Sequence, residues 1–423
     1  MREMKDSGVE WIGEIPETWI VERLQWHLDE IKESNNPIKT TQVLSLTNKA
    51  GVIPYEDKGE QGNKAKENYD EYKLAYPDTI VANSMNILIG SVGICRYFGC
   101  VSPVYYVFKP KENELLSYLN YVFQMEQFQK ELRRYANGIL EIRLRLSSAN
   151  IIKRYVAFPS HEEQIAISHF LDRKCTQIDA LISNAQQQIE KLKAYKQSVI
   201  TETVTKGLDP DVTMKDSGVE WIGEIPEDWE IVRIKNICQF NPSSKKSFSD
   251  DDIVSYAPME CVRTGSLVHK EIAIKNVSSG LTYFEENDII MAKVTPCFEN
   301  GNIAIATGLT KGVAFGSSEL FVFRANESIK FFLFYFLQNN IFKKFSISTM
   351  TGTGGLKRVS PNFVNNYSFA LPPIEERNKI VFYLDHKCSR IDKLIALKQQ
   401  KVEKLQQYKK SLIYEYVTGK KEV

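Results

Sequence analysis

From Leu171 onward, apolar or small residues recur at alternating steps of four and three: Leu171, Cys175, Ile178, Ile182, Ala185, Ile189, Leu192, then Lys196 and Val199. That rhythm is a heptad seam and predicts one long helix with a narrow apolar stripe. A second seam runs through Leu384, Cys388, Ile391, Ile395, Lys398, Val402, Leu405, Lys409 and Leu412. Each seam is preceded by proline and a Glu-Glu pair, whose carboxylates offset the helix dipole, and each ends in lysine-rich turns. About forty residues at 1.5 Å rise make a helix of roughly 60 Å, unstable unless its stripe packs on something. The other helix is the obvious partner. On the seam alone, two independent hairpins or a homodimeric coiled coil are alternatives.

The remaining pattern is different. Short β-type runs (42–46, 79–82 and 104–108; then 253–256, 288–293 and 320–323) alternate with turn clusters, followed by one helical stretch each, 115–135 and 328–345. An α+β fold is expected for both segments. The aromatic block 331–336 reads as core rather than as a platform for stacked bases.

The chain repeats itself. Residues 4–19 read MKDSGVEWIGEIPETW and residues 214–229 read MKDSGVEWIGEIPEDW, differing only at Thr18 and Asp228. Residues 159–205 and 372–418 form a second pair, with roughly half their positions identical. Four segments follow: 1–158, a first reader with its lead-in; 159–207, a long helix; 208–371, a second reader; and 372–423, a second long helix. The readers resemble each other only faintly, so a shared frame presents two different surfaces. The first helix closes with TVTKG and runs into the second lead-in; the second closes with YVTGK, so joining the C-terminus to Met1 would recreate the central junction. This circular order predicts a pseudo-twofold relation, neighbouring termini and antiparallel helices. Cys175 and Cys388 should then lie too far apart to form a disulfide.

Composition narrows the chemistry. The chain has 423 residues, with 54 Lys and Arg against 53 Asp and Glu, so no global field draws it onto nucleic acid; any DNA binding must come from local patches or from partner chains. Seven scattered cysteines without a Cys-x-x-Cys pair read as reduced thiols, and no metal site is expected. No apolar leader or membrane-length run is visible, and a cytoplasmic location is expected. The five histidines lack ligand spacing, and the stretch TGTGGLKR (351–358) lacks the ending of a nucleotide-binding loop. No Asn/Asp-Pro-Pro-Tyr/Phe methylation motif, adenosylmethionine loop, nuclease cluster or Walker motif is seen, so no catalysis is expected.

DNA contacts are sought among polar and basic residues near turns, because Arg, Lys, Asn and Gln read base edges while Ser, Thr and amides hold phosphates. The first half offers Lys64, Lys66, Asn83, Ser84, Asn86, Arg96, Arg143, Arg145 and Ser147. The second offers Lys245, Lys246, Arg263, Lys293, Thr295, Asn300, Lys357, Arg358 and Ser360. Arg145-Leu146-Ser147 and Arg358-Val359-Ser360 occupy equivalent places at an offset of 213.

The twin WIGEIPExW lead-ins (11–19 and 221–229) and the twin helix signatures, Glu-Glu followed by Leu-Asp-x-Lys-Cys-x-x-Ile-Asp-x-Leu-Ile, resemble the specificity subunits of type I restriction-modification systems. The resemblance covers the whole chain in order; one departure is Pro159-Ser160, where two prolines are usual, as at Pro372-Pro373. It implies two target-recognition domains, each reading half of a split double-stranded DNA sequence, and an antiparallel coiled coil setting the gap. It also implies two methylation subunits acting on adenine N6, together with restriction subunits. Adenosylmethionine, ATP and Mg would sit on those partners and not on this chain. A coiled-coil DNA-binding structural or regulatory protein without a modification partner is the alternative.

Overall fold

The computed structural model describes residues 2–47, 51–59, 68–111, 116–137, 144–243, 246–353 and 355–423. They form two compact units, Met1–Gln186 with Gln400–Val423, and Gln187–Gln399. Each long helix, His161–Lys206 and Ile374–Val417, contributes one part to each unit.

In the first unit the lead-in is a hairpin pairing Met4–Asp6 with Glu14–Pro16. It delivers Trp19 into the core with no exposed surface, and the indole N–H donates to Glu163 Oε2 at 2.9 Å. The repeated lead-in and the repeated Glu-Glu helix start are therefore one device: the tryptophan docks on the second glutamate. Burying an aromatic of this size contributes about 2–3 kcal/mol, provided its N–H finds an acceptor. The reader is an antiparallel sheet in the order Leu28–Ile31, Tyr105–Pro110, Thr79–Asn83, Val92–Cys95. Thr79–Asn83 is buried at all five positions, as befits a strand covered on both faces. Helices Leu116–Gln124 and Glu126–Arg133 pack on one side through Phe123 and Phe128. A hairpin of Leu44–Thr47 and Gly51–Pro54 covers the other.

The same unit shows the direction of the helix pair. Leu171, Cys175 and Ile178, near the start of the first long helix, share a core with Leu412, Ile413 and Val417, at the end of the second. The two segments run antiparallel. Lys409 Nζ reaches across to Asp179 at 2.7 Å. Beyond the second helix, Lys420 Nζ donates to Ile12 O at 2.7 Å and Glu14 O at 3.1 Å, so the C-terminus closes on the N-terminal lead-in. Gly419 is required there: its φ is +69°, and a Cβ would sit 2.4 Å from Pro16 Cδ.

The second unit repeats this plan. Met214–Asp216 pairs with Glu224–Pro226, and the buried Trp229 donates to Glu376 Oε2 at 2.9 Å. Its sheet has the matching order Cys238–Phe240, Leu320–Ala325, Ile289–Ala292, Ile303–Ile305. Val199, Ile200 and Val204, at the end of the first long helix, share a core with Ile380, Leu384 and Cys388, near the start of the second. Lys196 bridges to Asp392 at 2.7 Å, the counterpart of Lys409 and Asp179. The readers diverge outside this frame. The second carries another four-stranded sheet, Lys270–Ala273, Ile253–Ala257, Val313–Gly316 and Thr282–Glu285, with one parallel pair.

Two expectations change. The single helical stretches are each two helices, broken by extended Met125 in one unit and by an Asn339 cap in the other, where Asn339 Oδ1 accepts Phe342 N–H at 2.8 Å. Leu115 lies outside the described residues. The aromatic block is largely core, with Phe332, Tyr335 and Phe336 buried and Phe331 exposed.

Candidate nucleic-acid interface

Strand ends, where the chain leaves the ladder and backbone groups become free, place polar side chains at a surface. In the second unit the strand Ile289–Ala292 runs into such a place. Lys293 N–H donates to Glu319 O, Val359 N–H to Lys293 O, and Thr295 N–H to Lys357 O, each at 2.9 Å. Thr295 Oγ accepts Lys357 N–H at 2.9 Å and donates to Gly355 O at 2.6 Å. Thr264 Oγ donates to Gly301 O at 2.7 Å and brings the turn after Arg263 alongside. Three loops distant in sequence thus assemble Arg263, Lys293, Thr295, Asn300, Lys357 and Arg358 in one region.

Gly352 shapes this region where the chain pairs Thr351 with Arg358. Thr351 and Arg358 exchange both backbone bonds, at 3.0 and 2.8 Å, and a Cβ on Gly352 would lie 2.3 Å from Leu356 O. Beside it opens a cleft of 720 Å³ lined in part by Trp221, Thr351, Arg358, Ser360, Asn362 and Phe363. Arg358 grips Glu319 through Nε and Nη2, and that hydrogen bond holds the carboxyl below its ordinary range. The Lys293 ammonium lies 5.7 Å from the Phe321 ring centroid. Ser360 serves as a helix cap, accepting Phe363 N–H at 3.3 Å. Lys246 is engaged elsewhere, with Glu285 at 3.7 Å on an edge strand of the second sheet.

The first unit is built on the same scheme. Leu146 N–H donates to Ser84 O at 3.2 Å, as Val359 does to Lys293, and Arg145 is exposed just before the capping Ser147, whose Oγ accepts Asn150 N–H at 3.2 Å. Asn86 and Arg96 are exposed. Asn83 and Ser84 are buried instead, and Asn83 Oδ1 accepts Met85 N–H at 3.0 Å, which makes the pair a turn brace rather than a contact surface. Lys64, Lys66, Arg143 and Lys245 lie outside the described residues.

Of the seam positions, Leu171, Cys175, Ile178, Ile189, Leu384, Cys388, Ile391 and Val402 are buried; Ile182, Leu192, Ile395 and Leu405 are half-buried. All seven cysteines are free thiols, with Cys175 and Cys388 in different units. Sequence reasoning missed Glu319, Tyr121 and Tyr335. Glu319 meets Arg358 across 39 residues. Tyr121 and Tyr335 donate to Asp172 and Asp385 at 2.7 and 2.6 Å, and the only sequence trace is a shared Leu-x-Tyr. Among the described residues no helix is long and apolar enough to cross a membrane.

The architecture is thus two sheet-based units on antiparallel helix segments, each with a polar surface at a strand end. Residues 226–407 match the type I restriction modification DNA specificity domain. The chain is 32% identical over 216 residues to the type I restriction enzyme EcoAI specificity subunit of Escherichia coli, a match taking in 50% of this chain and 36% of that one. The chain thus matches about a third of the length of that relative. It is 24% identical over 428 residues to the putative MjaX specificity subunit of Methanocaldococcus jannaschii, covering 97% of this chain and 95% of that one. Its fold is shared with a solved chain from work on complex assembly and conformational transition of a type I restriction-modification system, with TM-score 0.71 and 11% identity over 95% of this chain and 98% of that one. It is also shared with the HsdS subunit of Thermoanaerobacter tengcongensis, with TM-score 0.50 and 12% identity over 96% and 98%.

Proposed function

We propose that this chain selects the DNA target of a type I restriction-modification complex. Each unit reads one half of a bipartite duplex sequence, and the long helices set the gap between halves. The observation that carries this reading is the duplicated frame: the same lead-in, tryptophan clasp and helix start support two readers whose surface loops differ. A protein meant to bind one partner twice would repeat its readers as closely as its frame.

The repeated lead-ins and helices would dock two methylation subunits, used twice because the surface occurs twice. Restriction subunits would join that core. Catalysis, together with adenosylmethionine, ATP and Mg, would belong to those partners, and the complex would act in the cytoplasm. With a net charge of +1 the chain offers little sequence-independent phosphate neutralisation of its own. Partner chains would complete the grip on the duplex.

The test is to replace residues 20–157 with the corresponding segment of another specificity subunit, co-express the hybrid with its methylation subunits, and map N6-methyladenine. One half of the methylated motif should change while the other half and the gap persist. A change in both halves, or failure to co-purify with a chain bearing an Asn-Pro-Pro-Tyr/Phe motif, would refute the reading.

A further inference from the structure

Arg358 and Glu319 are joined in a particular way. Nε donates to Oε2 at 2.9 Å and more weakly to Oε1 at 3.1 Å, while Nη2 donates to Oε1 at 2.8 Å. The carboxylate therefore occupies the side-on edge of the guanidinium. Because the group is planar with a fixed fork of five N–H bonds, its end-on edge, one N–H from Nη1 and one from Nη2, points away from Glu319. The arginine side chain is 47% exposed, and among the described residues no hydrogen bond engages its Nη1.

Both partners are pinned at one spot. Lys293 donates its N–H to Glu319 O and accepts Val359 N–H at its own O, and Arg358 is bonded through its backbone to Thr351. The fork is thus held before any ligand arrives, which spares rotamer freedom that a loose arginine would lose on binding. The pair also has no net charge. It would attract a phosphate poorly, since the carboxylate repels the anion that the guanidinium draws. Lys293 and Lys357, on the same loops, are better suited to phosphate.

What an end-on arginine fork fits is a pair of neighbouring acceptors in one plane, and in the DNA major groove guanine O6 and N7 are such a pair. We propose that Arg358, positioned by Glu319, reads a guanine in the half-site bound by the second unit. The inference rests on the DNA-reading function above and adds the base, the edge and the residue that aims the reader.

The experiment uses the full chain in complex with its methylation subunits and a duplex carrying its methylated motif, with each base pair of the second half replaced in turn. The wild-type complex should lose about 10- to 100-fold in affinity at one guanine, the usual discrimination of a bidentate contact. Arg358→Ala should bind all four bases at that position within about 3-fold while leaving first-half discrimination intact. Its log affinity against log salt should keep its slope, whereas loss of a phosphate contact would reduce the slope by about 0.9. Glu319→Gln keeps the size of the side chain and should relax the same position alone. If Arg358→Ala melts early, Glu319→Gln and Arg358→Lys carry the test. A second half-site without a G·C pair, unchanged guanine preference in these variants, or a reduced salt slope with no change in base preference overturns the proposal. Failure of the wild-type complex to bind any bipartite duplex would instead overturn the function on which it rests.

Discussion

Two buried tyrosines do the same job in the two units: Tyr121 donates to Asp172 and Tyr335 to Asp385, tying a reader helix to a long helix. Burial, then the carboxylate acceptor, push both phenols up, so each stays a neutral donor. Tyr335→Phe should cost about 1.5 kcal/mol, the low end for a hydrogen bond to a charged group, because the exposed Asp385 can turn to water. Calorimetry should show a melting temperature lower by several degrees, at about 2–4 °C per kcal/mol. The thiols of this unit give a pH-dependent expectation. Burial pushes Cys238 up to about 12 and Cys388 up to about 11. Unfolded thiols ionise near 8.5, so this stabilisation is complete below that range and fades as pH rises through it toward the folded values. At pH 8 iodoacetamide should leave both thiols unmodified in the native chain and alkylate them in urea, as read by mass spectrometry; rapid native labelling would contradict the packing.

At the scale of elements, the seam decides which face of a long helix matters. Leu384 is fully buried and Leu394, on the same helix, is 47% exposed. Leu384→Ala should destabilise the second unit by about 2–5 kcal/mol through lost burial and a cavity. Leu394→Ala should stay within about 0.5 kcal/mol. Urea unfolding of the two variants checks the contrast, and equal costs would mean the stripe has been misplaced. The crossing pairs Lys196–Asp392 and Lys409–Asp179 are too exposed to stabilise much, about 0–1 kcal/mol each, and are better suited to fixing register than strength. The heptad pattern located the buried stripe because one helix repeats every 3.6 residues wherever it packs. The reader helices were less legible. An apolar face continues across a break, and only the cap at Asn339 or the extended Met125 marks it.

At the scale of the molecule, the C-terminal tail belongs to the first unit although it is farthest from it in sequence. Deleting residues 418–423 removes the Lys420 bonds to Ile12 and Glu14 and the close packing of Gly419 on Pro16. Hydrogen exchange should then show lost protection around Ile12, Ile15 and Trp19. Ile225 and Trp229 should remain protected, since their counterpart contacts come from the end of the first long helix. Equal loss in both places would show that the units are not independently stabilised.

The duplicated lead-ins and seams, and from their circular order the antiparallel helices and closed termini, were determined by the sequence itself, because local periodicity and repetition need no tertiary information. Why Trp19 and Glu163 recur together was decided only in three dimensions, since the indole meets its carboxylate across 144 residues. The same holds for the surface of the second reader. Lys293, Glu319 and Arg358 lie on separate loops with no periodicity linking them, and it took strand order to join them and to turn an ordinary exposed arginine into an aimed one.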